Sequence, residues 1–78
     1  MPYNSKAFGN VIGQLRCEIG LSQEKLSGLA GISRSHLAMI ENGRRTVRLD
    51  TLWKISEALG MRPSCLIEMI EDELRRES

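Results

Sequence analysis

Arginine supplies most of the chemistry in this chain, and its placement is uneven. Residues 1–48 hold seven basic side chains (Lys6, Arg16, Lys25, Arg34, Arg44, Arg45 and Arg48) against three acidic ones (Glu18, Glu24 and Glu41). Residues 49–78 reverse the balance, with Lys54, Arg62, Arg75 and Arg76 against Asp50, Glu57, Glu68, Glu71, Asp72, Glu73 and Glu77. The formal net charge of +1 therefore hides one part suited to a polyanion and another suited to something else. Read without their neighbours, Arg44, Arg45 and Arg48 could equally be a solvated loop. Catalytic and metal chemistry find little support. His36 is the single histidine and lacks a plausible nucleophile or metal partner, and Cys17 and Cys65 lie far apart with no Cys-x-x-Cys pair. Paired carboxylates, a metal-ligand cluster and a phosphate-cradling glycine loop are missing, so no enzyme, catalytic residue, metal or cofactor is expected.

The elements that must carry these groups read as helices. Aromatic residues are only 4% of the chain, which suits helices built on Leu, Ile, Met and Ala better than a sheet. Phe8, Ile12, Leu15 and Ile19 form the stripe of a first helix that Asn4 or Ser5 could cap and Gly20 could end. Ser22 caps a second, with Glu24 in its first turn and Leu26, Leu29 and Ala30 inward, stopping at Gly31. Ser33 caps a third, with Leu37 and Ile40 inward and Gly43 after Asn42 as terminator. The polar stretch 43–48 reads as a loop. Leu49, Leu52, Ile55 and Leu59 mark the buried side of a fourth helix that starts near Asp50 and closes at Gly60. Ser64 caps a fifth, where Glu71 with Arg75 and Asp72 with Arg76 make i,i+4 pairs.

Seventy-eight residues make one domain at most, with no room for a large active-site cavity. At 41% apolar and 27% charged, the chain has the usage of an ordinary globular domain. No apolar run is long enough to span a bilayer and the N-terminus lacks a signal peptide's apolar block, so the expected location is cytoplasmic, without membrane contact.

A short helix, a tight turn with glycine and a second short helix form the arrangement that places a helix in a DNA major groove. Counting Gln23 as the first position, the fifth is the small Ser27, the ninth is Gly31, and the fourth, tenth, fifteenth and eighteenth are the apolar Leu26, Ile32, Leu37 and Ile40. A large side chain at the fifth position would push apart two steeply crossing helices, glycine at the ninth supplies unusual backbone angles, and the apolar four fasten the pair to the core.

With that spacing, LSQEKLSGLAGISRSHLAMIENGRR resembles the helix-turn-helix of the Cro/C1-type phage repressors, the XRE family. The likeness runs through nearly the whole chain: LRCEIG resembles the end of the family's first helix, and LDTLWKISEALG its fourth. The recognition segment SRSHL and the run ENGRRTVRLDTLWKISEALGM most resemble controller proteins of restriction-modification systems, which are single-domain dimeric regulators. The resemblance implies a compact, all-α five-helix bundle of lambda-repressor-like type. It implies a sequence-specific regulator of transcription that binds double-stranded DNA as a homodimer on a roughly palindromic operator.

Residue by residue, the likeness assigns Gln23 to a DNA phosphate, Arg34 and Ser35 to base edges, and Met39 to a thymine methyl or sugar edge. Asn42, Arg44 and Arg45 fall where the family meets backbone phosphates, a role charge independently favours for the two arginines, and Ser33 joins that phosphate set. Arg34 is the main candidate for specificity, since a guanidinium bonds guanine O6 and N7 together. Arg16 and Glu41 match a scaffolding ion pair of the family. Two departures stand out: Ser27 replaces the usual alanine and needs a carbonyl one turn back, and Arg34, Ser35 and His36 replace the Gln or Asn that often reads adenine.

Trp53, Ile67 and Met69 widen the apolar surface of the last two helices, so residues 49–78 are the expected dimer interface within a single 1–78 domain. RNA polymerase or another protein is a further candidate partner; no small-molecule effector is expected. The competing reading is an antitoxin-type protein-interaction module, favoured by the acidic fifth helix.

Overall fold

The computed structural model describes residues 2–77, in which five helices run in order: α1 (Ser5–Glu18), α2 (Gln23–Ala30), α3 (Arg34–Glu41), α4 (Leu49–Ala58) and α5 (Pro63–Glu77). No strand occurs among the described residues. Three of the starts are fixed by side chains that accept an otherwise orphaned backbone N–H: Asn4 from Ala7 at 2.7 Å, Ser22 from Lys25 at 3.0 Å and Ser33 from His36 at 3.0 Å.

The helices close around Phe8, Ile12, Leu26, Leu37, Ile40, Ile55 and Leu66, all fully buried, with Leu52, Ile70 and Leu74 extending the cluster. Helix α1 packs on α3 and α5, while α2 packs on α3 and α4. The radius of gyration is 11.4 Å, against about 11.5 Å expected for one close-packed body of this length. Contact between α1 and α3 is unusually tight. A methyl group at Gly9 would fall against the Ile40 carbonyl and 2.6 Å from the Glu41 carbonyl, so only glycine lets the two backbones approach so closely.

Several apolar positions expected inside are exposed. Leu29 flanks the inward face of α2, which leans instead toward Ser27, where the crossing with α3 must be thin. Ile19 lies beyond α1 as its C-terminal cap. Leu49, the first residue of α4, is 64% exposed, and the buried side of that helix is Thr51, Leu52, Ile55 and Ser56. Helix α5 begins two residues earlier than expected, at Pro63, whose fixed φ suits a first helical position. Its start is closed by the Arg62 carbonyl, which accepts from Cys65 at 3.0 Å and Leu66 at 3.2 Å, in place of a Ser64 cap. Its ion pairs run i,i+3 instead of i,i+4: Arg75 with Asp72 and Arg76 with Glu73. No helix is long and apolar enough to cross a membrane.

Candidate nucleic-acid interface

Between α2 and α3 the chain reverses within three residues. Gly31 takes the left-handed conformation, φ 71°, that ends α2, and Ile32 donates back to the Ser27 carbonyl at 3.0 Å. Ser27 is buried at the crossing; its hydroxyl donates to the Glu24 carbonyl at 3.0 Å, the bond such a residue needs there. Serine therefore serves this position without an unsatisfied polar atom.

Leu37 and Ile40 anchor α3 in the core, which turns the other side of the helix to solvent. Arg34, Ser35 and Met39 are exposed on it and His36 is partly covered. At the far end, Gly43 is left-handed with φ 73°, its N–H bonds Ile40, and the Arg44 N–H bonds Met39, both at 3.0 Å. This closure satisfies the last carbonyls of α3, and exposed Asn42, Arg44 and Arg45 follow directly on the helix end. Among the described residues no carboxylate pairs with Arg34, Arg44 or Arg45. Arg48, by contrast, lies 3.5 Å from Asp50. Arg34 at the start of α3, and Arg44 and Arg45 beyond its end, are thus exposed guanidinium groups with no carboxylate partner among the described residues, and Ser33 is exposed beside Arg34.

Behind this surface lies a polar pin. Arg16 presents two nitrogens side-on to Glu41, Nε at 2.7 Å from Oε2 and Nη2 at 3.0 Å from Oε1, while its Nη1 donates to the Leu21 carbonyl at 2.8 Å. The side chains are only 16% and 9% exposed. The hydrogen bond from the guanidinium to Glu41 raises the Arg16 pKa further, so the cation persists at any ordinary pH. Gln23, expected at a phosphate, donates its Nε2 to Glu41 Oε1 at 3.1 Å. The pairing of Arg16 with Glu41 was expected from the sequence, but the link from Gln23 to Glu41 was not; the only signal for it was the location of Gln23 and Glu41 at helix ends, which does not specify a bond. Sequence reasoning also missed Gly9.

The expected dimer residues do not share one face. Trp53 borders a hollow with Leu49, Asp50 and Lys54, and Ile67 borders another with Tyr3, Val47 and Leu49, so Leu49 joins these two. Met69 sits elsewhere, in the groove between α1 and α5 beside Val11 and Leu15. Tyr3 and Leu49 were not singled out as surface residues from sequence.

A capped short helix, a left-handed turn and a core-anchored second helix with a cationic outer side define a helix-turn-helix DNA-binding domain. The chain belongs to the helix-turn-helix family, which residues 12–64 match, and whose members are transcriptional regulators rather than enzymes. It is 43% identical over 67 residues to control protein C.MunI of Mycoplasma sp, covering 85% of this chain and 90% of that protein. Control protein C.BamHI of Bacillus amyloliquefaciens is 40% identical over 62 residues, covering 78% and 76%. Among solved structures, the restriction-modification controller protein C.AhdI from Aeromonas hydrophila superposes with a TM-score of 0.77 at 39% identity, covering 80% of this chain and 94% of that one.

Proposed function

We propose that the chain is a restriction-modification controller protein that binds a roughly palindromic operator as a homodimer. Residues 1–78 then act as one DNA-binding domain in the cytoplasm. The observation that carries this reading is the exposure of Arg34, Ser35 and Met39 on a helix whose opposite side is locked into the core. Arg34 and Ser35 meet base edges, with Arg34 choosing guanine, and Met39 meets a thymine methyl or sugar edge. Gln23, Ser33, Asn42, Arg44 and Arg45 take the flanking phosphates. Leu49, Trp53 and Ile67 form the dimer contact within residues 49–78, joined by Tyr3. The two copies of α3 then lie about 34 Å apart in successive major grooves. Activation or repression follows from where the operator sits relative to the promoter, and RNA polymerase is the protein a bound activator would touch.

Selection of bound duplexes from a random library, with sizing of the complex, tests the reading. It expects enrichment of a site with two related halves and two chains per duplex; recovery of no common sequence would refute it. Arg34→Ala should narrow the gap between specific and random DNA, the share of one good base contact being about 1–3 kcal/mol. Arg45→Ala should weaken both and lower the salt slope by about one. Native affinity and preference in both variants, titrated across salt concentrations, would remove these residues from the site.

A further inference from the structure

A carboxylate offers only acceptors, so the atom of Gln23 that faces Glu41 must be its nitrogen, and the planar amide cannot turn over without setting oxygen against oxygen. Glu41 is itself immobile. Both its oxygens are held by Arg16, and Arg16 is held a third time by the Leu21 carbonyl. Gln23 is the first residue of α2, where its backbone N–H has no carbonyl a turn behind to bond. One N–H of its amide is used on Glu41; the second N–H and the backbone N–H remain as donors from the same residue.

We propose that Glu41 is a positioning residue for DNA binding, fixing the Gln23 carboxamide with its nitrogen as the presented group before a phosphate arrives. The chain Leu21 carbonyl, Arg16, Glu41, Gln23 thus links the buried pin to the DNA surface. A freely rotating amide would offer its oxygen to the phosphate part of the time, and oxygen there repels. The idea rests on Gln23 being a phosphate contact, and it makes a prediction opposite in sign to simple electrostatics. An anion near the DNA should hinder binding, so its removal should help; here the removal of Glu41 harms.

The test uses the whole chain. Gln23→Ala should weaken binding roughly tenfold on specific and random duplexes, the order of a hydrogen bond to a charged group. The salt slope should stay unchanged, because a neutral amide releases no counterion. The double variant Arg16→Met with Glu41→Leu keeps net charge and replaces the pair by apolar groups of similar volume, an exchange that folded proteins often tolerate. It should lose part of that tenfold, and adding Gln23→Ala to it should cost less than the same change costs in the native protein. Native affinity in the double variant, with Gln23→Ala still weakened, overturns the positioning role. Fully additive losses overturn it too. Native affinity in Gln23→Ala alone removes the phosphate contact itself, which is a separate failure. A measurement on the unaltered protein decides the matter should the double variant unfold: of the two Gln23 side-chain amide proton NMR signals, the one bonded to Glu41 should lie away from its position in free glutamine and exchange slowly with water. Signals of a free glutamine amide would overturn the proposal.

Discussion

Arg16 and Glu41 show why a single residue can be mistaken for a DNA contact. Both lie within the helix-turn-helix neighbourhood, yet their charges are turned inward to each other. Glu41→Ala leaves the Arg16 cation nearly buried with only the Leu21 carbonyl as partner, a loss of about 3–5 kcal/mol. In a domain of this size that lowers the melting temperature by more than about 10 °C, readable by circular dichroism. An unchanged melting curve would show the pair to be dispensable for the fold. Arg45→Ala, at an exposed site, should leave the curve in place, so paired melting and binding data separate a supporting residue from a touching one.

At the scale of the element, α3 is aimed by what presses on it. Its first turn is tied by Ser33, its middle by Leu37 and Ile40, and its last carbonyls rest against the bare backbone of α1 at Gly9. Gly9→Ala should therefore cost about 1–3 kcal/mol of stability, as overpacking does, and should weaken DNA binding further in protein that is still folded. Chemical denaturation with a parallel DNA titration measures both; a neutral or stabilising effect would show that the helices can separate freely. This element was only partly legible in the sequence. Its cap, its two anchors and its terminator are local signals, written in Ser33, Leu37, Ile40 and Gly43. Gly9 is not local: a glycine inside a helix looks like a defect until the backbone that crosses it is known. The same limit explains Leu29 and Leu49. Each sits on the flank of an apolar stripe, and periodicity gives the direction of a stripe but not which flank the next helix covers. In α5 the charges were legible but their partners were not, because i+3 and i+4 are nearly equidistant and side-chain rotamers decide between them.

At the scale of the molecule, exposed apolar side chains gather around Leu49: Leu49 itself at 64% exposure, Trp53 at 49% and Ile67 at 41%, with Tyr3 beside Leu49 and Ile67. In the proposed homodimer, Leu49→Asp should raise the dissociation constant about a hundredfold, equivalent to ~2.7 kcal/mol, while leaving the helical content intact. Sedimentation across a dilution series checks this, and a variant that stays as dimeric as the native protein would move the interface elsewhere. A second whole-molecule contact joins the ends of the bundle, where Asn10 on α1 and Arg76 both donate to Glu73. The bond from Arg76 holds the Glu73 carboxyl below the usual carboxylate range. A depressed carboxylate stabilises the fold above its unfolded value and loses that contribution as pH falls through the lower, folded one. Melting temperatures of the native protein and Glu73→Gln should accordingly differ slightly near neutrality and converge in acid. A difference that persists unchanged to pH 2 would exclude the carboxylate as its source.

The tight seat of α1 against the end of α3 has a consequence for the other molecule in the complex. In the proposed homodimer–operator complex, a probe backed by bare peptide has little give, so a mismatch between the paired probes and an ideal B-form cylinder would be absorbed by the nucleic acid. Base steps in the middle of the operator, which no side chain reaches, would then tune affinity through how readily they curve, and pyrimidine–purine steps there would be favoured over stiff A-tracts.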